Sequence, residues 1–154
     1  MIKHKEALYE IFEKERVEPS GVLYDACEII LKSAGIDLPK DVYNFIALGD
    51  WFLEDIVTGN LTDKYVIINQ DIICGAVPKD AKTAEEDAED ASYEIARLVR
   101  TLLKANKKLV STSYSTGVAK TSVLLRATSE AIVYSDSRAH IVVVSLEIRM
   151  QEEN

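Results

Sequence analysis

The fold is decided by residues 64–104, which read KYVIINQDIICGAVPKDAKTAEEDAEDASYEIARLVRTLLK. Apolar residues share one face of the first part, residues 65–77: Val66, Ile68, Ile72, Cys74 and Ala76. Gln70 is the one polar member of that face, and the opposite face is polar at its middle. This alternation predicts a strand with one face toward the core. Pro78 ends the pairing because it has no N–H to donate.

The second part of this stretch has the periodicity of a helix. Apolar residues recur there at steps of three and four: Ala84, Ala88, Ala91, Ile95, Leu98, Val99 and Leu102. Thr83 and Glu86 have the spacing of a capping box. We therefore predict a long amphipathic helix on one face of the sheet. If Leu98 lies in the core, its replacement by alanine should cost ~2–5 kcal/mol.

Two helices are predicted before the central strand. The first covers residues 1–16, and the second begins at Ser20, runs through about Leu31 and stops before Gly35. Residues 41–58 fit a strand or a helix by their pattern. We favour a strand as far as Leu48, a turn at Gly49–Asp50 and a short element after it.

The carboxyl-terminal part is rich in strand residues. We predict strands at residues 109–114, 123–125 and 132–134, and a last strand at 139–150 that pairs back as an antiparallel hairpin. Even positions of the last strand are apolar: Val142, Val144, Leu146, Ile148 and Met150. The predicted class is α+β, with a mostly antiparallel sheet in a single domain of residues 1–154. Residues 1–38 form its helical part and residues 41–150 its core.

Composition narrows the function classes. The chain has 154 residues, a net charge of −8 and two cysteines. An acidic surface disfavours binding to the phosphate backbone of nucleic acids. Both Cys27 and Cys74 lie in apolar surroundings and are expected to be reduced in a cytosol. No signal peptide or membrane-spanning run is apparent, so we expect a cytoplasmic protein.

Motifs for catalysis or cofactor binding are incomplete. Residues 117–122, GVAKTS, lack the glycine that precedes the lysine of a phosphate-binding loop. The two histidines, His4 and His140, have no metal-ligand spacing, and the acidic residues 85–90 do not form a calcium loop. We expect no enzyme activity, no cofactor and no metal.

Two places are candidates for a subunit interface. Trp51 and Phe52 form an apolar concentration that fits core packing and an interface equally well. The second place is the tip of the last hairpin, with Asp136, Arg138 and His140. A charged tip can fix the register of a contact without adding much affinity.

The order of elements resembles that of the tail terminator (tail completion) proteins of long-tailed bacteriophages. The resemblance is carried by YVIINQDIICGAV, by the helix ending IARLVRTLLK and by the closing ATSEAIVYSDSRAHIVVVSLEIRM, and it spans about residues 40–150. It implies a hexameric ring of identical subunits on the end of the tail tube. That ring would stop tube polymerisation, contact the tail tube protein and the head connector protein, and let DNA pass without specific binding.

The resemblance also implies that the protein is assembled in the host cytoplasm and ends in the virion tail. The alternative is an intracellular α+β ligand-binding or regulatory domain with no viral role. Such a domain would need a concave apolar pocket with converging polar groups.

Overall fold

The computed structural model describes residues 3–33, 42–57, 64–79, 84–106, 119–126, 131–134 and 137–151. Its helices and strands are α1 (Lys3–Val17), β1 (Ile29–Leu31), β2 (Asn44–Val57), β3 (Lys64–Ala76), α2 (Ala84–Ala105), β4 (Ala119–Arg126), β5 (Ala131–Tyr134) and β6 (Ser137–Gln151). The predicted α+β class is confirmed. Thr83, residues 109–114 and Asp136, which carried predictions, lie outside the described ranges.

Strands β3 and β6 form the centre of the sheet. The described strands are ordered β1-β2-β3-β6-β4, and β5 pairs with β6 as well. The pairing of β1 with β2 is parallel, and the other pairings are antiparallel. Alternate residues of β6 are buried, as expected from its pattern: Val142, Val144, Leu146 and Ile148. This arrangement fixes which residues of each strand point to the same face.

Both helices contribute to the core on one face of the sheet. That core contains Leu8 and Phe12 from α1 together with Ile72 from β3. The buried residues of α2 are Ala84, Ala88, Ser92, Ile95, Ala96, Val99, Leu102 and Leu103. None of the described helices is long and apolar enough to span a membrane.

The buried stripe of α2 is rotated from the predicted one. Ser92 and Leu103 are buried, whereas Ala91 is half-buried and Leu98 packs only partly against the core. The Ser92 hydroxyl donates to the Glu89 carbonyl at 2.7 Å. A hydroxyl that is satisfied within its own helix can be buried at little cost, so the polar residue did not mark the solvent face.

The predicted second N-terminal helix is wrong. Residues 18–28 form turns, and β1 follows them. At Gly21 the chain folds back so closely on α1 that a Cβ atom would overlap the Glu15 carbonyl. Ile29–Leu31 then pair with residues 45–47 of β2. Isoleucine is well suited to a strand, and pairing with β2 overrides the weak helical pattern.

The predicted turn at Gly49–Asp50 is also wrong. Strand β2 continues through these two residues, and its register on β3 shifts between Leu48 and Trp51. Leu48 pairs with Ile72 and Trp51 pairs with Gln70, so β2 has one more residue than β3 over this interval. This is a β-bulge, which explains why glycine and aspartate occur here without ending the strand.

The second face of the sheet changes character along its length. One end has an apolar cluster: Leu31, Phe45, Ala47, Ala139 and Ile141. A Cβ atom on Gly75 would overlap the Phe45 ring, which explains a glycine in the middle of this sheet. Further along, Ser145 donates to Asp71 Oδ1 at 3.0 Å, and both residues are half-buried. The face is therefore apolar at one end and polar toward the middle.

Candidate functional site

The buried amide of Gln70 is bonded to the β2 bulge. Its side chain is completely buried, and Nε2 donates to the Gly49 carbonyl at 2.9 Å and to the Asp71 carbonyl at 2.8 Å. The Asp50 carbonyl lies 3.5 Å from the same nitrogen. Buried backbone carbonyls need a donor, and a bulge disturbs the normal ladder that would supply one. Gln70 is therefore the polar residue that this otherwise apolar strand face requires.

His4 joins helix α1 to the same place. Its Nε2 lies 2.8 Å from Gln70 Oε1, and its imidazole is buried. An amide oxygen only accepts, so His4 must donate from Nε2. The imidazole also meets the Trp51 ring edge-on, with centroids 5.1 Å apart and planes inclined by 69°. His4, Gln70 and Trp51 thus form a connected group, which we call the bulge cluster.

The environment of His4 favours its neutral form. Burial lowers the pKa of the imidazole below the ordinary value of 6.5. The hydrogen bond to Gln70 opposes this shift, and the positive charge of Lys5 lowers the pKa further. Because the net direction is downward, the bulge cluster is uncharged at neutral pH.

We expect His4 to make stability depend on pH. An imidazole whose pKa is lowered in the folded state binds fewer protons than in the unfolded chain. The free energy of unfolding should therefore decrease as pH falls through 6.5, and level off below the folded-state pKa. His4→Gln keeps an N–H donor but removes the titration. Urea unfolding of both proteins at a series of pH values gives the His4 contribution as a difference, and parallel curves would contradict the expectation.

Three consecutive residues beyond the bulge are exposed. Trp51, Phe52 and Leu53 are 37%, 59% and 51% exposed, respectively. Trp51 and Leu53 pair with Gln70 and Ile68 and so lie on the helix-bearing face, whereas Phe52 pairs with Asn69 on the opposite face. We call these three residues the exposed triad. The rim of the sheet therefore carries a large exposed aromatic ring on each face.

The exposed triad lies beside an open strand edge. Strand β1 covers only residues 45–47 of β2. In the described parts of the chain, β2 has no other neighbour on that side. The sequence could not decide between core and interface for Trp51 and Phe52. In the structure Phe52 is on the surface, and Trp51 is partly exposed and packs edge-on against His4.

The second predicted interface, at the tip of the last hairpin, contains a buried histidine. His140 is 7% exposed, and its Nε2 bonds Glu85 Oε2 at 2.5 Å, which ties the start of α2 to β6. Its Nδ1 has no hydrogen-bond partner. Arg138 is placed in β6 opposite Val133, but its side chain is outside what the structure describes. His140 therefore offers little surface to a neighbouring subunit.

The hairpin and the exposed triad are not brought together. In the sheet Trp51 is aligned with Gln70 and Leu146, whereas His140 is aligned with Ala76. These positions on β6 are about 20 Å apart at ~3.4 Å per residue. The two predicted interface regions are therefore separate surfaces of the subunit.

Three features of the described residues bear on catalysis and ligand binding. They contain no group of three or more His, Cys, Asp or Glu side chains suited to a metal ion. Burial raises the pKa of the Cys27 thiol to about 12, so it is protonated at neutral pH. A groove of about 400 Å³ runs beside α2 between Ala26 and Leu98. It is one of several open grooves that border α2.

Sequence reasoning missed the bulge cluster. Its only signal was Gln70, a polar residue on an apolar strand face. His4 lies 66 residues away from it, and no local pattern joins two such positions. In comparisons with known proteins, no protein-family model matches this sequence, and no curated protein matches it.

Proposed function

We propose that this protein is a structural protein of a bacteriophage tail that caps the tail tube as a ring of identical subunits and joins the tail to the head connector. The observation that carries the proposal is the exposed triad at the open edge of β2. Aromatic residues are enriched at protein interfaces and often dominate their energies. A surface of this kind supports assembly better than it supports catalysis.

The bulge cluster supports an interface that is ordered before binding. Trp51 packs edge-on against His4, which is held by Gln70, so its ring is positioned in the free subunit. A side chain that is already ordered loses less conformational entropy on association. His4 and Gln70 therefore favour assembly without themselves touching a neighbour.

The layered arrangement supports a ring with a polar channel. Both helices pack on one face of the sheet, and the other face carries half-buried polar residues toward its middle, including Asp71 and Glu147. A net charge of −8 repels phosphate groups. In the proposed ring, the polar face lines a passage that DNA crosses without binding.

The alternative is an intracellular ligand-binding or regulatory domain, and the groove beside Leu98 favours it. Its rim carries Asp25 and Glu94, so a ligand there would be cationic. Size in solution separates the two functions. A strict monomer that binds such a ligand supports the alternative, whereas a ring or a concentration-dependent oligomer supports the tail protein.

We expect Phe52→Ser to weaken self-association at least about tenfold, because it removes an exposed aromatic anchor at the proposed interface. The matched control is Tyr93→Ser, which removes an aromatic residue of similar exposure, 42%, from the outside of α2. The measurement is sedimentation over a range of concentrations, with electron microscopy of the protein alone and with tail tubes. A wild-type protein that stays monomeric and does not cap tubes would overturn the proposal.

A further inference from the structure

We infer that the subunits join by sheet extension: the open edge of β2 in one copy pairs antiparallel with β4 of the next copy. This inference rests on the proposed ring and names the surfaces that close it. The occupant of the β2 edge is thus a second copy of this chain. The argument uses strand order, strand direction, charge and register.

The two strands are opposite edges of one sheet. Strand β4 pairs with β6 and, among the described strands, has no neighbour on its other side. On the far side of the sheet, β1 leaves β2 uncovered beyond residue 47. Unpaired strand edges present rows of N–H and C=O groups that accept another strand. Among its described strands each subunit therefore has two different open edges, as a head-to-tail contact requires.

Strand directions allow the two edges to meet. Strand β2 is antiparallel to β3, β3 to β6, and β6 to β4. Strand β4 therefore runs opposite to β2. Consider a second copy in the same orientation as the first, placed so that the two sheets form one continuous sheet. Its β4 then lies beside β2 of the first copy and runs antiparallel to it. The contact repeats from copy to copy until the rotation closes the ring.

Charge favours unlike edges over like edges. From Asp50 to Val57, β2 carries Asp50, Glu54 and Asp55 and no basic residue. Strand β4 has the sequence AKTSVLLR, with Lys120 and Arg126 and no acidic residue. Like charges opposite each other destabilise a strand pair, and opposite charges stabilise it. Two β2 edges or two β4 edges would repel, so the complementary pairing is between β2 and β4.

One register matches charge and apolar residues together. With Leu53 opposite Val123, the antiparallel alignment places the acidic residue before the exposed triad opposite the basic end of β4. The resulting pairs are Asp50 with Arg126, Trp51 with Leu125, Phe52 with Leu124 and Leu53 with Val123. Asp55 then lies one position from Lys120. In this register each member of the exposed triad is aligned with an aliphatic residue of β4.

The same register also matches the faces of the two sheets. Leu125 and Val123 are aligned with Val144 and Leu146 of β6, which lie on the helix-bearing face. Their partners in the alignment, Trp51 and Leu53, lie on that face as well. Leu124 is aligned with Ser145 on the opposite face, where Phe52 also lies. The joined sheets would therefore have all their helices on one side.

Disulfide trapping tests the register. Copies carrying Leu53→Cys are mixed with copies carrying Val123→Cys under mild oxidation, alone and with tail tubes. Directly opposed strand residues are close enough for a disulfide, and the native cysteines are buried. We expect a crosslink between the two kinds of copy. The control mixes Leu53→Cys with Tyr93→Cys, and an equal yield there, or none in the first mixture, would overturn the pairing.

Charge reversal tests the same contact independently. Asp50→Lys and Arg126→Glu should each weaken association at least about tenfold, and the double variant should recover most of the loss. Asp90→Lys makes the same charge change on the exposed side of α2 and should have no effect. Rings that form without the crosslink or the rescue would overturn the pairing and leave the tail function standing. Assemblies that show both the crosslink and the rescue but do not cap tubes would overturn the tail function and leave the pairing standing.

Discussion

Replacing Gln70 with leucine is expected to lower the free energy of unfolding by about 2–5 kcal/mol. The change leaves the Gly49 carbonyl and the His4 Nε2–H without their partner. Each unsatisfied buried group costs ~1–3 kcal/mol. Urea unfolding followed by circular dichroism measures the loss. Trp51 is the only tryptophan of the chain, so its fluorescence reports the bulge cluster directly.

Asn69→Leu is the matched control for this variant. It replaces a neighbouring amide on the same strand, but Asn69 lies on the opposite face and is only half-buried. We expect a change of less than about 1 kcal/mol. Equal stabilities of Gln70→Leu and wild type would contradict the role of the buried amide. If the Gln70→Leu protein is destabilised but its Trp51 emission is unchanged, the Gln70 hydrogen bonds stabilise the bulge without positioning the tryptophan.

The second large effect is expected at Leu103, in the last turns of α2. Leu103 is completely buried, and Leu103→Ala should cost about 2–5 kcal/mol through lost burial and the cavity left behind. Leu98→Ala, five residues earlier on the same helix, should cost only about 1 kcal/mol because Leu98 is partly exposed. Both variants remove the same atoms from a leucine side chain, so the difference in cost measures the difference in burial between Leu103 and Leu98. A larger loss at Leu98 would restore the helix orientation expected from the sequence.

The long periodic elements could be predicted from the sequence. Strands β3 and β6 lie close to their predicted bounds because their alternation extends over many residues. Helix α2 was also found, but the face it buries could not be fixed from periodicity. Alanine, serine and leucine occur on neighbouring stripes of this helix. Which stripe is buried depends on how the helix packs on the sheet. Ser92 is absent from the predicted stripe because the bond that satisfies its hydroxyl is not visible in a hydropathy pattern.

The errors occurred where distant residues decide local structure. Gly49–Asp50 has the composition of a turn, but Gln70 of the neighbouring strand supplies donors that let β2 continue through it. Residues 20–31 have a weak helical pattern, but pairing of Ile29–Leu31 with β2 draws them into the sheet. The sequence named Trp51 and Phe52 as candidates for an interface, which stays a prediction, but it gave no sign that His4 and Gln70 are bonded beside them.

The β2 bulge makes this surface tolerant of a change in chain length. Leu48 and Trp51 lie on the same face of the sheet although three positions separate them, because the bulge holds one extra residue. Removing that residue would restore simple alternation and leave Trp51 opposite Gln70 and Phe52 opposite Asn69. The same deletion after Leu53 would instead exchange the faces of every residue beyond it. The bulge is therefore a place where the strand can lose a residue in evolution without losing the orientation of the exposed triad.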